Sequence, residues 1–325
     1  MKRAGIAIVA AAILAALAAP QFAAHAPDDR YARLLNAPPT VPHLRGDDGR
    51  WRAPFIYRWR LVDQLEQRYD EDRSALVPLA WFSRGHIVAS ADEANAPFMP
   101  LGTDSFGRDV WARLLFGARA SLGIALAAAI GAVAFGALVG GLAGYVGGAT
   151  DDLLMRATDF VMVLPAMYVA LALRSVLPLV LPPAAVFVLL TSIFAVVGAP
   201  FVARGARAII RTERRLDYAA AAEALGASHA RLLVRHLLPA ARGFLGVEAT
   251  LLVPAFVVAE ATLSYIGLGF ADPVPSWGTM LHDASNVRVF VDFPWLLSPA
   301  IAMFIVVFGL NLALQDRGTG VESIR

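Results

Sequence analysis

The stretch 217-DYAAAAEALGASHARLLVRHLLPA-240 decides how the rest of the chain is read. Alanine and arginine favour helix, so 204–225 is expected to be helical. Gly226 suits the left-handed residue that closes a helix, and Ser228 can cap the next one. That second helix should run to Leu238 and stop at Pro239. Leu232, Leu233, His236, Leu237 and Ala240 share one apolar stripe, which needs a groove or the underside of a bundle to bury it. The result is an elbow of two helices studded with arginine. On its residues alone it reads as a solvated connector or as an amphipathic helix lying on anionic lipid, where each basic residue contributes about 1 kcal/mol.

The flanking sequence places this elbow in a membrane protein. The chain has 325 residues, 58% of them hydrophobic and 17% charged, which is too apolar for an ordinary soluble domain. A crossing needs about 20 mainly apolar residues. Six runs qualify: 5–24, 120–144, 154–177, 184–203, 244–268 and 295–314. The expected fold class is therefore an all-α polytopic membrane protein with six transmembrane helices. The first run has a second reading. MKR, an alanine-rich run and Ala24-His25-Ala26 also fit a secretory signal with an A-x-A site, so 1–26 is either a retained helix or a leader. Both readings put residue 30 on the outer side.

Residues 27–99 are polar and hold no span, so they are expected as a large extracytoplasmic loop of short strands or helices packed on the outer membrane surface, with 68-RYDEDR-73 as a solvated charge run. Residues 100–118 are expected as an interfacial amphipathic helix. Val110, Trp111, Leu114, Leu115 and Ala118 share a face there, and Asp109 and Arg113 are spaced as an i,i+4 pair. Sidedness follows from charge. Residues 204–242 carry eight arginines against Glu213, Asp217 and Glu223, whereas 271–294 carries Asp272, Asp283 and Asp292 against Arg288. The positive-inside rule then puts 204–242 in the cytoplasm and 271–294 outside. With six spans both termini are cytoplasmic, including the tail 315–325.

Several chemistries are excluded. There is no cysteine, hence no disulfide or thiol site. The histidines are scattered, and His229 with His236 reads as a solvated or interfacial face rather than a metal site. Lys2 is the only lysine, so no P-loop is present, and any ATP hydrolysis belongs to another polypeptide. Within the apolar runs, Glu248 and Glu260 lie about 18 Å apart along a helix. A mid-bilayer carboxylate costs on the order of 3 kcal/mol, so each should face protein or water. Glu260 either lines a path or holds helices together by hydrogen bonds. Arg174 can snorkel to the outer surface, and Asp159 can pair with Arg156. Pro165 and Pro254 are expected to kink their helices. Gly131, Gly136, Gly140, Gly141 and Gly144 are expected to let helices pack closely.

The spacing Ala220-Ala221-x-x-x-x-Gly226, followed by Leu238-Pro239, resembles the EAA loop of importer permeases of the ATP-binding-cassette class. Four more stretches are similar to the dipeptide and oligopeptide branch: 100-PLGTDSFGRDVWARLLFGARASL-122, 143-AGYVGGATDDLLMRATD-159, 259-AEATLSYIGLGF-270 and 275-PSWGTML-281. The resemblance implies a type I importer permease core over 119–314 in a bacterial inner membrane. It implies that Ala220, Ala221, Glu223, Gly226, Ser228 and Pro239 form the loop that docks on an ATPase, and that Glu260 and Ser264 lie on the translocation path. The implied partners are a second permease, two ATPase subunits, an extracytoplasmic solute-binding protein and the bilayer, with no nucleic acid. This chain would bind no cofactor and catalyse no reaction, ATP being hydrolysed by its partners. One departure stands out: Ala220 occupies the position where the family usually has glutamate, and Glu223 lies near the same face. The rival from another class is an ion-coupled secondary transporter using Glu248 and Glu260, although no internal repeat of the usual kind is visible. A hydrolase built on Ser264 would lack a histidine in any predicted span.

Overall fold

The computed structural model describes residues 2–314 apart from 48, 84, 166, 167, 170 and 173–180. In chain order these form α1 (Lys2–Leu17), α2 (Ala19–Phe22), β1 (His43–Arg45), β2 (Trp51–Asp63), β3 (Arg68–Ser83), β4 (His86–Ser90), α3 (Val110–Val146), α4 (Gly148–Val163), α5 (Pro183–Glu213), α6 (Asp217–Ala224), α7 (Arg242–Tyr265), α8 (Trp277–Asp283), α9 (Val287–Asp292) and α10 (Ser298–Leu314). A turn at His229–Arg231, a π segment Leu232–Leu237 and a 3₁₀ segment Leu238–Ala241 lead into α7.

Among the described residues, four helical runs are long and apolar enough to cross a membrane: Val110–Val146, Pro183–Glu213, His229–Tyr265 and Pro294–Ala313. They cover the second, fourth, fifth and sixth expected spans. The first expected span corresponds to the 16 residues of α1 followed by the short α2. The third begins with α4, but part of 154–177 lies outside the described residues, as do Arg174 and the tail 315–325.

Several local expectations are corrected. The helix over 100–118 starts only at Val110 and continues without a break into the apolar run. Residues before it are held in turns by Asp104, whose carboxylate accepts from the backbone N–H of Phe106 and Arg108, both at 2.9 Å. The helix over 204–225 is two helices, broken after Glu213. Pro165 does not kink a helix but ends one. α4 stops at Val163, and Leu164 is extended at ψ 116°, as the residue before a proline tends to be. Pro254 does lie inside α7.

The chain forms two compact units. The first is built on Leu122–Leu263 with residues 310–314. Its seam is between α3 and α5. A Cβ added to Gly136 would come within 2.6 Å of Ala199 O, and one on Gly144 within 2.6 Å of Arg207 O. One on Gly140 would collide with the Ala203 backbone. The glycines of α3 thus let two backbones touch, the close packing expected of them. Phe194 of α5 stacks on Phe256 of α7 at 5.5 Å. Asp151, buried in the first turn of α4, takes both Nε and NH2 of Arg207, with Arg211 3.6 Å away. Asp159 pairs with Arg204, not with Arg156. The helix of opposite charge is nearer than the neighbour in sequence.

The second unit comprises Arg3–Ser121 and Ser264–Gly309. It holds a four-stranded antiparallel sheet in the order β1-β2-β3-β4. The supposed charge run 68–73 is the start of β3, where Asp72 faces Arg58 and Asp70 faces Arg60 on β2, so opposite charges sit across the strands. The strands are longer than expected, 13 residues in β2 and 16 in β3. Ile56, Leu79 and Ala96 form one core, and Leu34, Ala37, Tyr69 and Met99 another.

A charged knot closes the same unit. Arg108 is fully buried. It reaches Asp104 at 2.6 Å, Asp283 at 3.2 Å, and Asp272. Arg113 adds contacts to Asp104 at 3.6 Å and Asp283 at 3.7 Å, replacing the expected pairing with Asp109. Asp109 instead faces His25, whose Nδ1 lies 2.9 Å from it while Nε2 lies 2.7 Å from Glu93. Burial would depress the imidazolium of His25, but the two carboxylates outweigh it and push its pKa up to about 9. Trp277 locks two of the resembling motifs together. Its backbone N–H donates to Ser121 Oγ and its indole N–H to Leu114 O, each at 3.1 Å.

Candidate functional site

The elbow lies wholly in the first unit, and its shape follows from its caps. α6 ends at Ala224. Gly226 takes φ +83°, the Ala227 N–H donates to Ala222 O at 3.0 Å and the Gly226 N–H to Glu223 O at 2.9 Å. This pair of bonds around a left-handed glycine is a Schellman closure, as the sequence predicts. Ser228 then caps the next turn, its side chain accepting from the Arg231 N–H at 3.4 Å.

The expected stop at Pro239 does not occur. Pro239 sits in the 3₁₀ segment Leu238–Ala241, after the π turn, and the helical run continues through α7. A proline is tolerated in the first turn of a helical segment, where its missing N–H has no partner to lose. The wider π turn before it shifts the bonding register.

The apolar stripe is spent inside the chain. Leu232, Leu233 and Leu237 are buried with Tyr145, Ile210 and Ala219, the ends of α3 and α5 and the inner side of α6. Of the other stripe residues, His236 is half-buried and Ala240 exposed. Polar ties brace the same joint. The Tyr145 hydroxyl lies 2.6 Å from His229 Nδ1, and the Arg214 guanidinium carbon lies 4.4 Å from the centre of the Tyr145 ring. Tyr218 donates to Glu213 at 2.7 Å.

What remains outside is informative. Ala220, Ala221, Glu223, Gly226, Ser228 and Pro239 are all exposed, the first five within one short stretch. Beside them stand three large apolar side chains that sequence reasoning did not single out: Leu216, Tyr218 and Leu225, the last 89% exposed. Their signal was present, since Leu225 directly precedes the closing glycine and falls off the buried stripe. The result is a compact projection with an apolar tip, clamped to the ends of α3 and α5.

Glu260 and Ser264 are four residues apart on α7, and both are buried. Glu248, on the same helix, is half-buried.

Residues 132–315 match the family described as the binding-protein-dependent transport system inner membrane component. The chain is 36% identical over 226 residues to the oligopeptide transport system permease protein OppC of Bacillus subtilis, covering 69% of this chain and 72% of that protein. It is 34% identical to the dipeptide transport system permease protein DppC of Alkalihalophilus pseudofirmus, over 65% of this chain and 67% of the relative. It is also 34% identical to OppC of Lactococcus lactis subsp. lactis, over 64% and 69%. The matched region contains the glycine seam, the elbow and α7, whereas the sheet lies before it.

Proposed function

Because the chain belongs to the family of inner-membrane components of binding-protein-dependent transport systems, we infer that it is the permease subunit of an ATP-driven importer of peptides, forming half of the translocation pathway. The peptide cargo is taken from the names of its relatives. In this reading the loop 212–239 faces the cytoplasm and docks on a separate ATPase. The full assembly is this chain, a second permease, two ATPase subunits and an extracytoplasmic solute-binding protein. Both termini are cytoplasmic, and 27–99 lies outside.

The observation that carries the docking is the exposed tip of Leu216, Tyr218 and Leu225 on an elbow whose inner face is already buried. Closure of the ATPase pair would press on α6, and the cluster around Tyr145 would pass the displacement to α3 and α5 as a rigid-body shift. Ala220 in place of the usual glutamate removes one charge from that contact, and Glu223, exposed on the same short helix, supplies a carboxylate. Glu260 and Ser264 are the polar positions assigned to the pathway. They are kept from lipid now and are available to solute when the helices part.

The test is Gly226→Pro. Proline cannot adopt φ +83° and lacks the N–H that bonds Glu223 O. The complex should still assemble with its ATPase subunits, while uptake of a labelled peptide into proteoliposomes falls to background. Unchanged uptake would remove the docking role. Uptake driven by a proton gradient without ATP would remove the class.

A further inference from the structure

The hairpin between β3 and β4, 81-WFSRGH-86, leaves two aromatic rings outside the fold: Trp81 is 54% exposed and Phe82 82%. Phe82 holds φ +52°, a backbone region that bulky residues rarely adopt. The fold accepts that strain while burying neither ring.

The hairpin is tied to the apolar helices of its own unit. His86 Nδ1 lies 3.0 Å from Pro20 O, and β4 packs on α2. Next to this contact α1 ends and α3 begins. The Trp111 indole donates to Phe22 O at 3.1 Å, and Ala19 and Ala23 are buried with Ala112 and Leu115. α3 is one of the helices able to cross a membrane. Leu14, Leu17 and Phe22 are themselves exposed. Exposed apolar side chains therefore stand on both sides of the His86–Pro20 contact, and the hairpin lies beside the start of α3.

Water penalises such a surface at about 25 cal/mol per Å². The membrane–water interface rewards it, because aromatic rings concentrate there. The hairpin's composition fits the same place, since Ser83 and His86 follow the rings with polar groups suited to headgroups. We propose that Trp81 and Phe82 form an interfacial anchor, inserted among the lipid headgroups where α3 enters the membrane, that holds the sheet down on the bilayer. The occupant of this surface is lipid, an extension of the apolar surface of α1 and α2.

The chain has no cysteine, so Phe82→Cys and Leu65→Cys each create one labelling site. Leu65, 88% exposed in the β2–β3 hairpin, serves as the reference. The full chain carrying a nitroxide at either site is placed in bilayer discs of phosphatidylethanolamine and phosphatidylglycerol. Collisions with oxygen and with a water-soluble nickel chelate are then compared. The oxygen-to-nickel ratio should be several-fold higher at position 82 than at position 65, and Trp81→Cys should give the same result with Phe82 intact. Equal ratios at 82 and 65 overturn the anchor. So does a position 82 that becomes shielded from both reagents only when the transporter's other subunits are added, since that outcome assigns the surface to a protein.

Discussion

Around Gly226 the chain buries leucines against the ends of α3 and α5 and leaves Leu216, Tyr218 and Leu225 in the open, whereas around Arg108 it hides guanidinium groups and carboxylates that ordinarily stay in water. The two regions are stabilised by opposite means. A buried charge survives only if its partners come with it, and Arg108 has three aspartates within its own unit. That region is complete as it stands. Exposed apolar groups concentrated at the tip of a braced projection have no such closure. In the proposed function they form the surface that the ATPase completes. One region keeps the protein folded, and the other, in that reading, receives a partner.

The sharpest way to break this contrast is Arg108→Ala. Removing the arginine leaves Asp104 and Asp283 without their main counter-charge, and stability should fall by about 3–5 kcal/mol, read as thermal unfolding of the full chain in detergent. A near-neutral result would mean that the knot is ornamental. Next comes pH. The pKa of His25 rises from 6.5 to about 9 on folding, so its stabilisation is complete below pH 6.5 and is lost as pH climbs towards 9. The shift corresponds to on the order of 3 kcal/mol. The unfolding midpoint should drop across that window in the native chain and stay flatter in His25→Gln.

The elbow should respond differently. Leu225→Glu places a charge on an already exposed site, so unfolding should change by less than about 0.5 kcal/mol. Retention of co-expressed ATPase subunits should nevertheless weaken about tenfold, equivalent to 1.4 kcal/mol. Equal retention would return the elbow to the status of a solvated connector. The smallest effect is expected for Ser228→Ala. It removes a long cap bond and should cost at most about 1 kcal/mol, visible as faster hydrogen exchange at the Arg231 amide with the fold unchanged.

The two regions also differ in how far they could be read from sequence. The elbow was legible because its determinants are local: Gly226 closes one helix and Ser228 opens the next within three residues. The glycine ladder of α3 was legible for the same reason. The knot was not. Arg108 meets Asp272 and Asp283 across more than 160 residues, and nothing in the spacing of residues 100–122 points to them, so the nearest pairing, Asp109 with Arg113, was the natural guess. The sheet was hidden too. Pro54 argues against a strand yet lies within β2, and the charges of 68–73 look like a solvated run until Asp70 and Asp72 are placed opposite Arg60 and Arg58. Pro239 misled because a π turn, which no residue pattern announces, re-phases the helix before it.

The contact between α3 and α5 has a mechanical consequence. With the backbone of Ala203 seated against Gly140, and those of Ala199 and Arg207 against Gly136 and Gly144, the two helices are threaded like a zip. Sliding one helix along the other would take these glycines off the carbonyls they touch and bring side chains of the adjoining turns into the close approach. The seam therefore resists shear, and the pair moves most easily as one piece.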